Sequence, residues 1–235
     1  MKSKLLYFVL SLLAVTAFWS CDDDSTAGMT RITYYPELTL EGATTVFVDK
    51  GSAYVEPGYT ALLNGEDVTD QVQVSSNVNT SKSGVYSVSY SIVNEDGFAS
   101  NASREVIVLD ANDPVEGAYY VDPTSYRFYN GEAVAYESSF MILVINRGDG
   151  TYSVDDLLGG WYCQRAGYGT NYAMQGVVVF EADGTITMLD SYVPGWGDSA
   201  TSLTESSWDA ATGTISYNLE YTDYPFNFYV TMYKN

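Results

Sequence analysis

The sequence predicts an all-β protein in which two β domains follow one another. Short runs of alternating apolar and polar residues recur from Ile32 onward, and none of them carries a helical period. Clusters of Gly, Asn, Asp and Pro separate the runs at roughly ten-residue spacing, as in small sandwiches. After residue 116 tyrosine and glycine become dense, so the chain changes texture once.

Before the first strand lies a leader. Lys2 and Lys4 precede an apolar stretch from Leu5 to Trp19, the layout of a secretory signal over residues 1–20 and too short a span to be a permanent membrane helix. It ends at "SCDDD". Cys21 after Ser20 resembles a bacterial lipoprotein lipobox, with Phe18 where Leu is usual. The resemblance implies that Cys21 is lipidated and heads the mature chain, since several acyl chains on one residue give stable anchoring. Asp22, Asp23 and Asp24 are adjacent like charges, which repel and stay solvated, so residues 21–31 are expected to form an acidic tether. The acidic run also resembles the surface-export signal of Bacteroidetes lipoproteins. That likeness implies an outer-membrane, lipid-anchored protein facing the cell exterior.

In residues 32–110 the runs are "ELTLEG", "TTVFVDKG", "VQVSSNV", "GVYSVSYSIV" and "REVIVLD". In the fourth, Tyr86, Val88, Tyr90 and Ile92 share one face and Ser87, Ser89 and Ser91 the other, which is a strand with one buried face. The turns "DKG", "EPG", "LNGED" and "NEDG" supply positive or fixed φ. Residues 48–110 resemble the bacterial Ig-like modules of surface proteins. The residues that carry the likeness are Tyr54, Glu56, Pro57, Gly58, Tyr59 and Ala61, then Val78, Thr80, Gly84, Tyr86, Val88, Tyr90 and Gly97, then Arg104, Val106 and Val108. It implies an Ig-like β-sandwich acting as spacer or docking platform, with the Glu56-Pro57-Gly58 turn and Tyr59 in turn and core roles.

"LDANDP" reads as a boundary. Across 115–235 the strands are expected at "SFMILVIN", "GTYSV", "MQGVVVFEADGTITMLD", "GTISYNLEY" and "FNFYVTMY", with Asp149-Gly150 and Asp183-Gly184 as hairpin turns. The expected architecture is a second antiparallel β-sandwich or barrel of six to eight strands, with a short helix only around 154–158.

Composition narrows the chemistry. A net charge of −20 argues against nucleic acid and against docking on anionic lipid. With no histidine, the usual general base and commonest metal ligand are missing. Cys163 then lacks both an activating histidine and a disulfide partner. No nucleophile, nucleotide or metal motif occurs, so no catalytic residue, metal or cofactor is expected. Asp149, Asp155 and Asp156 have turn and cap roles available, and no EF-hand spacing accompanies them.

Aromatic residues on glycine-rich loops are the candidate binding groups, because rings give contact area at small entropic cost. Trp161 and Tyr162 follow Gly159-Gly160, and Tyr168 precedes Gly169. Tyr192 and Trp196 lie in "DSYVPGWGDS", where its glycine neighbours give Trp196 the least core-like context. Trp161, close behind Leu157 and Leu158, has a core reading as well. The residues Gly148, Asp149, Gly150, Tyr152, Asp155, Gly159, Gly160, Trp161, Tyr168, Gly169, Trp208, Asp209, Gly213, Thr214 and Ile215 resemble the C-terminal domain of a family of Bacteroides lipoproteins, several of them encoded beside SusC/SusD-type outer-membrane importers. The resemblance implies an accessory surface lipoprotein handling a glycan or peptide beside such a transporter. A cell-surface hydrolase and an adhesin-like structural protein are the alternatives.

Overall fold

The computed structural model describes residues 32–221 and 224–235; the leader, Cys21 and the aspartates after it lie outside the described residues. The first part is a sandwich. One sheet joins β1 (Glu37–Leu40), β3 (Tyr59–Leu63) and β4 (Glu66–Asp67) in that order. The other runs β2 (Thr45–Asp49), β7 (Ala99–Leu109), β6 (Gly84–Val93) and β5 (Gln73–Ser76). All ladders are antiparallel except β2 with β7, which is parallel over five residue pairs. As the alternation predicts, Val88, Tyr90 and Ile92 of β6 are buried, and they pack with Ala61, Val106 and Val108.

The "EPGY" motif does more than turn the chain. Arg104 on β7 is wholly buried. Its Nε donates to Glu56 Oε1 at 3.1 Å, and Nη2 donates to the carbonyls of Glu41 (2.7 Å) and Gly58 (3.1 Å). Nη1 donates to the Ala43 carbonyl, and the Tyr54 hydroxyl donates to Glu56. One guanidinium thus ties both sheets to the turn. Burial by itself would raise the Glu56 carboxyl. The Tyr54 hydroxyl, the Gly58 amide and the Arg104 charge outweigh it and hold Glu56 below its ordinary value.

The second part is one curled sheet of ten strands rather than six to eight. Its added members are β8 (Gly117–Val121), β9 (Tyr126–Tyr129), β10 (Glu132–Ala135) and β15 (Ser202–Asp209). The others are β11 (Met141–Asn146), β12 (Tyr152–Val154), β13 (Gln175–Phe180), β14 (Ile186–Tyr192), β16 (Thr214–Glu220) and β17 (Phe226–Lys234). β8, β11, β12, β13 and β14 follow in order, β17 pairs β8 and β16, and β16 pairs β15. The curl nearly closes where β14 meets β15. There Trp208 N–H donates to the Gly184 carbonyl at 2.7 Å, and the Ser206 hydroxyl donates to the Ile186 carbonyl at 3.0 Å. Inside lies the core of Val144, Leu157, Leu158, Trp161, Leu219, Phe228 and their neighbours.

The expected helix at 154–158 is not there. Val154 ends β12 and a turn follows; the helical turns come later, as a π-helical turn at Trp161–Arg165 and a 3-10 turn at Thr170–Tyr172. The reason is Gly159 and Gly160, whose φ values of 59° and 81° break a helix begun before them.

An apolar seam joins the two parts. Ile107 and Leu109 point away from the sandwich core and pack against Ala118, Met141, Leu143 and Ile145. This explains why "VIVL" is continuously apolar: both faces of β7 are covered. The connection expected to be polar, between Leu109 and Val115, is flanked by this seam. It is also held by Asp113, which accepts from Asn146 Nδ2 at 2.6 Å.

Candidate functional site

The site begins with a turn that has little freedom. Asp156 is 2% exposed, and its carboxylate accepts from the backbone N–H of Leu158 (2.9 Å), Gly160 (3.1 Å) and Met174 (3.0 Å). Asp149 accepts from Thr151 N–H at 3.0 Å, so it and Asp156 are turn groups, whereas Asp155 accepts from Leu143 N–H of the neighbouring β11 at 2.8 Å and ties the end of β12 to that strand. A Cβ on Gly160 would sit 2.8 Å from Phe140 Cβ, so only glycine brings the chain this close. The π-helical turn starts there, with Arg165 N–H and Ala166 N–H reaching back five residues to the Gly160 and Trp161 carbonyls.

That turn sends neighbouring rings in opposite directions. Trp161, a candidate binding ring from its glycine-rich context, is instead a core residue, 4% exposed. Its ring meets Tyr136 at 4.9 Å and Phe228 at 6.2 Å, with the Arg165 and Arg127 guanidinium groups 4.2 and 4.9 Å away. Tyr162 instead faces a surface cleft.

Trp196 forms the other side of that cleft's first wall. Its loop is pinned by Val193 N–H to Asp198 carbonyl (2.9 Å) and Gly195 N–H to Asn171 carbonyl (2.6 Å). The Tyr172 ring fills the space where a Gly195 side chain would stand, with Cε1 only 2.6 Å from a Cβ placed there. Trp196 is 44% exposed; its ring stands 4.7 Å from Tyr162 at 89° and 5.0 Å from Tyr172 at 61°. Tyr168 extends this wall, stacked 6.1 Å from Tyr162. Tyr192 does not join it. It lines a larger cavity of about 770 Å³ between the two parts, with Val85, Glu105, Leu143, Asp155 and Cys163.

The opposite wall escaped the sequence reading. Tyr221 and Tyr224 come from the connection between β16 and β17 and Phe226 from the start of β17, with ring separations of 5.8–6.4 Å. With Tyr162, Trp196 and Asp198 they bound about 390 Å³. "YTDYPF" does place aromatics on either side of a polar break and a proline, which is the one signal that could have found them. Two polar atoms in the cleft are buried without a hydrogen-bond partner, Asp198 Oδ1 and the Tyr221 hydroxyl. Burial raises both groups above their ordinary values. Arg127 lies nearby, donating from Nη1 to the Tyr162 hydroxyl at 3.3 Å.

Elsewhere, burial pushes Asp156 up to about 7 and Asp155 up to about 6; for Asp156 the three backbone donors and the charge of Asp155 are smaller influences. A carboxyl raised in the folded state stabilises fully at low pH, and that contribution is lost as pH rises toward 7. Between pH 4 and 7 the melting temperature of Asp156→Asn is therefore expected to fall less steeply than that of the parent. Equal slopes in thermal melts would remove Asp156 as the cause. Burial also raises the Cys163 thiol, which keeps it neutral. Among the described residues no group of three or more His, Cys, Asp or Glu side chains gathers to hold a metal, and no helix is long and apolar enough to cross a membrane.

The crystal structure of the lipoprotein BT2262 from Bacteroides thetaiotaomicron matches 85% of this chain and 100% of its own, at 40% identity and a TM-score of 0.76. The chain belongs to that lipoprotein's family. A family model described as a C-terminal domain matches residues 108–234, and the model for the bacterial surface protein Ig-like domain matches 38–108. The family therefore joins an Ig-like module to the curled sheet, and the candidate cleft lies wholly in the second. Two structures from Clostridium perfringens ZmpB also align. The M60 catalytic domain with CBM51-1 and CBM51-2 is 19% identical over 53% of this chain and 15% of that one, with a TM-score of 0.29. CBM51-2 with GlcNAc and INT domains is 22% identical over 50% and 31%, with a TM-score of 0.27. At those scores they carry no argument. No curated protein matches the chain.

Proposed function

We propose that the protein is a lipid-anchored lipoprotein on the outer face of the outer membrane that captures a ligand without transforming it. In this reading it is an accessory component of a SusC/SusD-type nutrient-uptake complex, and its ligand is a glycan or a peptide. The observation that carries it is the Trp196–Tyr162–Tyr221 cleft: rings on two walls, the Trp196 wall pinned by backbone hydrogen bonds, beside polar atoms that lack partners. Binding sites commonly concentrate affinity in such aromatic anchors. The hydrolase alternative gains nothing from Asp155 and Asp156, whose carboxylates are engaged by backbone amides.

Trp196→Ala is expected to abolish binding of the oligosaccharide or peptide that the parent binds, with its thermal melt little changed. Unchanged affinity would remove the cleft as the site. Cys21→Ala is expected to release the protein from membranes or block its maturation, and normal membrane fractionation of that variant would sink the anchor. Proteins that co-purify with the detergent-solubilised lipoprotein test the transporter partnership.

A further inference from the structure

Resting on the reading of the cleft as a binding site, we infer that it takes an organic cation: an alkylammonium or guanidinium group. Three independent features point the same way. The first is the arrangement of the rings. Tyr162 and Trp196 stand at 89° and Tyr221 and Phe226 at 87°, so the walls present faces in several directions instead of one flat platform. Rings set at such angles offer faces as well as edges to a ligand between the walls, and each face attracts a cation through its quadrupole.

The second is the carboxylate. Asp198 lines the cleft with one oxygen buried and unpartnered, beside a Tyr221 hydroxyl in the same condition. Buried acceptors without donors are rare in folded proteins, and each calls for a missing partner. An ammonium or guanidinium group brings N–H donors and a compensating charge together. A neutral ligand brings donors alone and leaves the burial cost of the carboxylate in place. Among the described residues, Arg127 is the basic group beside the cleft; it donates to Tyr162 and lies over the Trp161 and Phe226 rings, its Nε is buried without a partner, and no ion pair joins it to Asp198.

The third is precedent within the molecule. Arg127 and Arg165 already lie against the Trp161 ring at 4.9 and 4.2 Å, so this aromatic cluster accommodates guanidinium groups next door. The net charge of −20 adds a long-range field that draws cations to the whole surface.

The test titrates the full chain, solubilised in detergent, by calorimetry. The peptide-borne probes are Nα-acetyl-lysine methylamide and Nα-acetyl-arginine methylamide, with the norleucine and citrulline analogues as uncharged counterparts. Tetramethylammonium represents a free small amine, and neutral oligosaccharides form the last arm. At least one cation is expected to bind, at least tenfold more tightly than its uncharged counterpart, and to weaken as salt is raised. Asp198→Asn and Trp196→Ala are each expected to lower that affinity at least tenfold with the melting temperature kept. A preference for the peptide probes or for tetramethylammonium identifies the source. Equal binding of charged and uncharged probes, or binding of oligosaccharides alone, overturns the cation and leaves the cleft as a binding site. Silence from every probe overturns both readings. The charged-against-uncharged comparison and the salt titration need no variant, so a failure of Asp198→Asn to fold does not spare the inference.

Discussion

Arg104→Ala is expected to be the most damaging single change in the Ig-like part, costing about 3 kcal/mol through the lost charge-assisted hydrogen bonds of a buried guanidinium. The guanidinium is wholly buried and bonds Glu56 together with the carbonyls of Glu41, Ala43 and Gly58. Its loss removes four hydrogen bonds at once and leaves a cavity between the sheets, while Glu56 keeps the Tyr54 hydroxyl and the Gly58 amide as donors. Glu56→Gln keeps the shape and most of those bonds, so a smaller loss is expected. There is a pH signature as well. Glu56 is held below its ordinary value, so its contribution is present above the unfolded carboxyl's pKa and is lost as pH falls through the folded one. Chemical denaturation of the parent and both variants at neutral and acid pH checks this. A loss under 1 kcal/mol for Arg104→Ala would show that the network is incidental.

Trp161→Ala is expected to cost the curled sheet about 3–5 kcal/mol, the usual range for deleting a large core aromatic. The ring fills the interior between Tyr136 and Phe228 and gives Arg127 and Arg165 their aromatic partner. Trp196→Ala, which removes a ring 44% exposed, is expected to change stability by less than about 1 kcal/mol. Parallel thermal melts decide it: similar losses for the two variants would mean that Trp196 is also a structural ring and that the cleft is part of the core.

The two tryptophans show how far the sequence could be read. Both follow glycine, and both are close to apolar residues. Gly195 admits the Tyr172 ring and leaves Trp196 at the surface, whereas Gly159 and Gly160 turn Trp161 inward. That difference depends on residues brought together from other strands, which no local pattern records. Alternation in β6 and the Asp-Gly hairpins at 149–150 and 183–184 were legible because their causes are local. Asn130-Gly131 is an equally local signal for the β9–β10 hairpin, with φ of 52° and 84°. β15 was hidden by its polar composition: it is bulged, half-exposed and lies at the loose closure of the curl. In the cleft, Tyr162, Tyr168 and Trp196 were found from glycine-rich context. Tyr221, Tyr224 and Phe226 were not, since their value lies in facing Trp196 across a gap, nor was Asp198, whose value lies in an unpartnered oxygen that the sequence does not record. Glu56 was legible as a turn residue, but its partner Arg104 is 48 positions away.

The parallel ladder between β2 and β7 has a mechanical consequence. β2 enters from the N-terminal side of the chain, and β7 runs straight into the linker that leads to the curled sheet. Tension between the two ends of the protein pulls these strands lengthwise past each other once β1 is loaded. The ladder's bonds then bear the force together, in shear, where an antiparallel hairpin pulled at its open end would yield them one at a time. Under the proposed N-terminal anchor and ligand, a pull on the cleft would run along this strong direction.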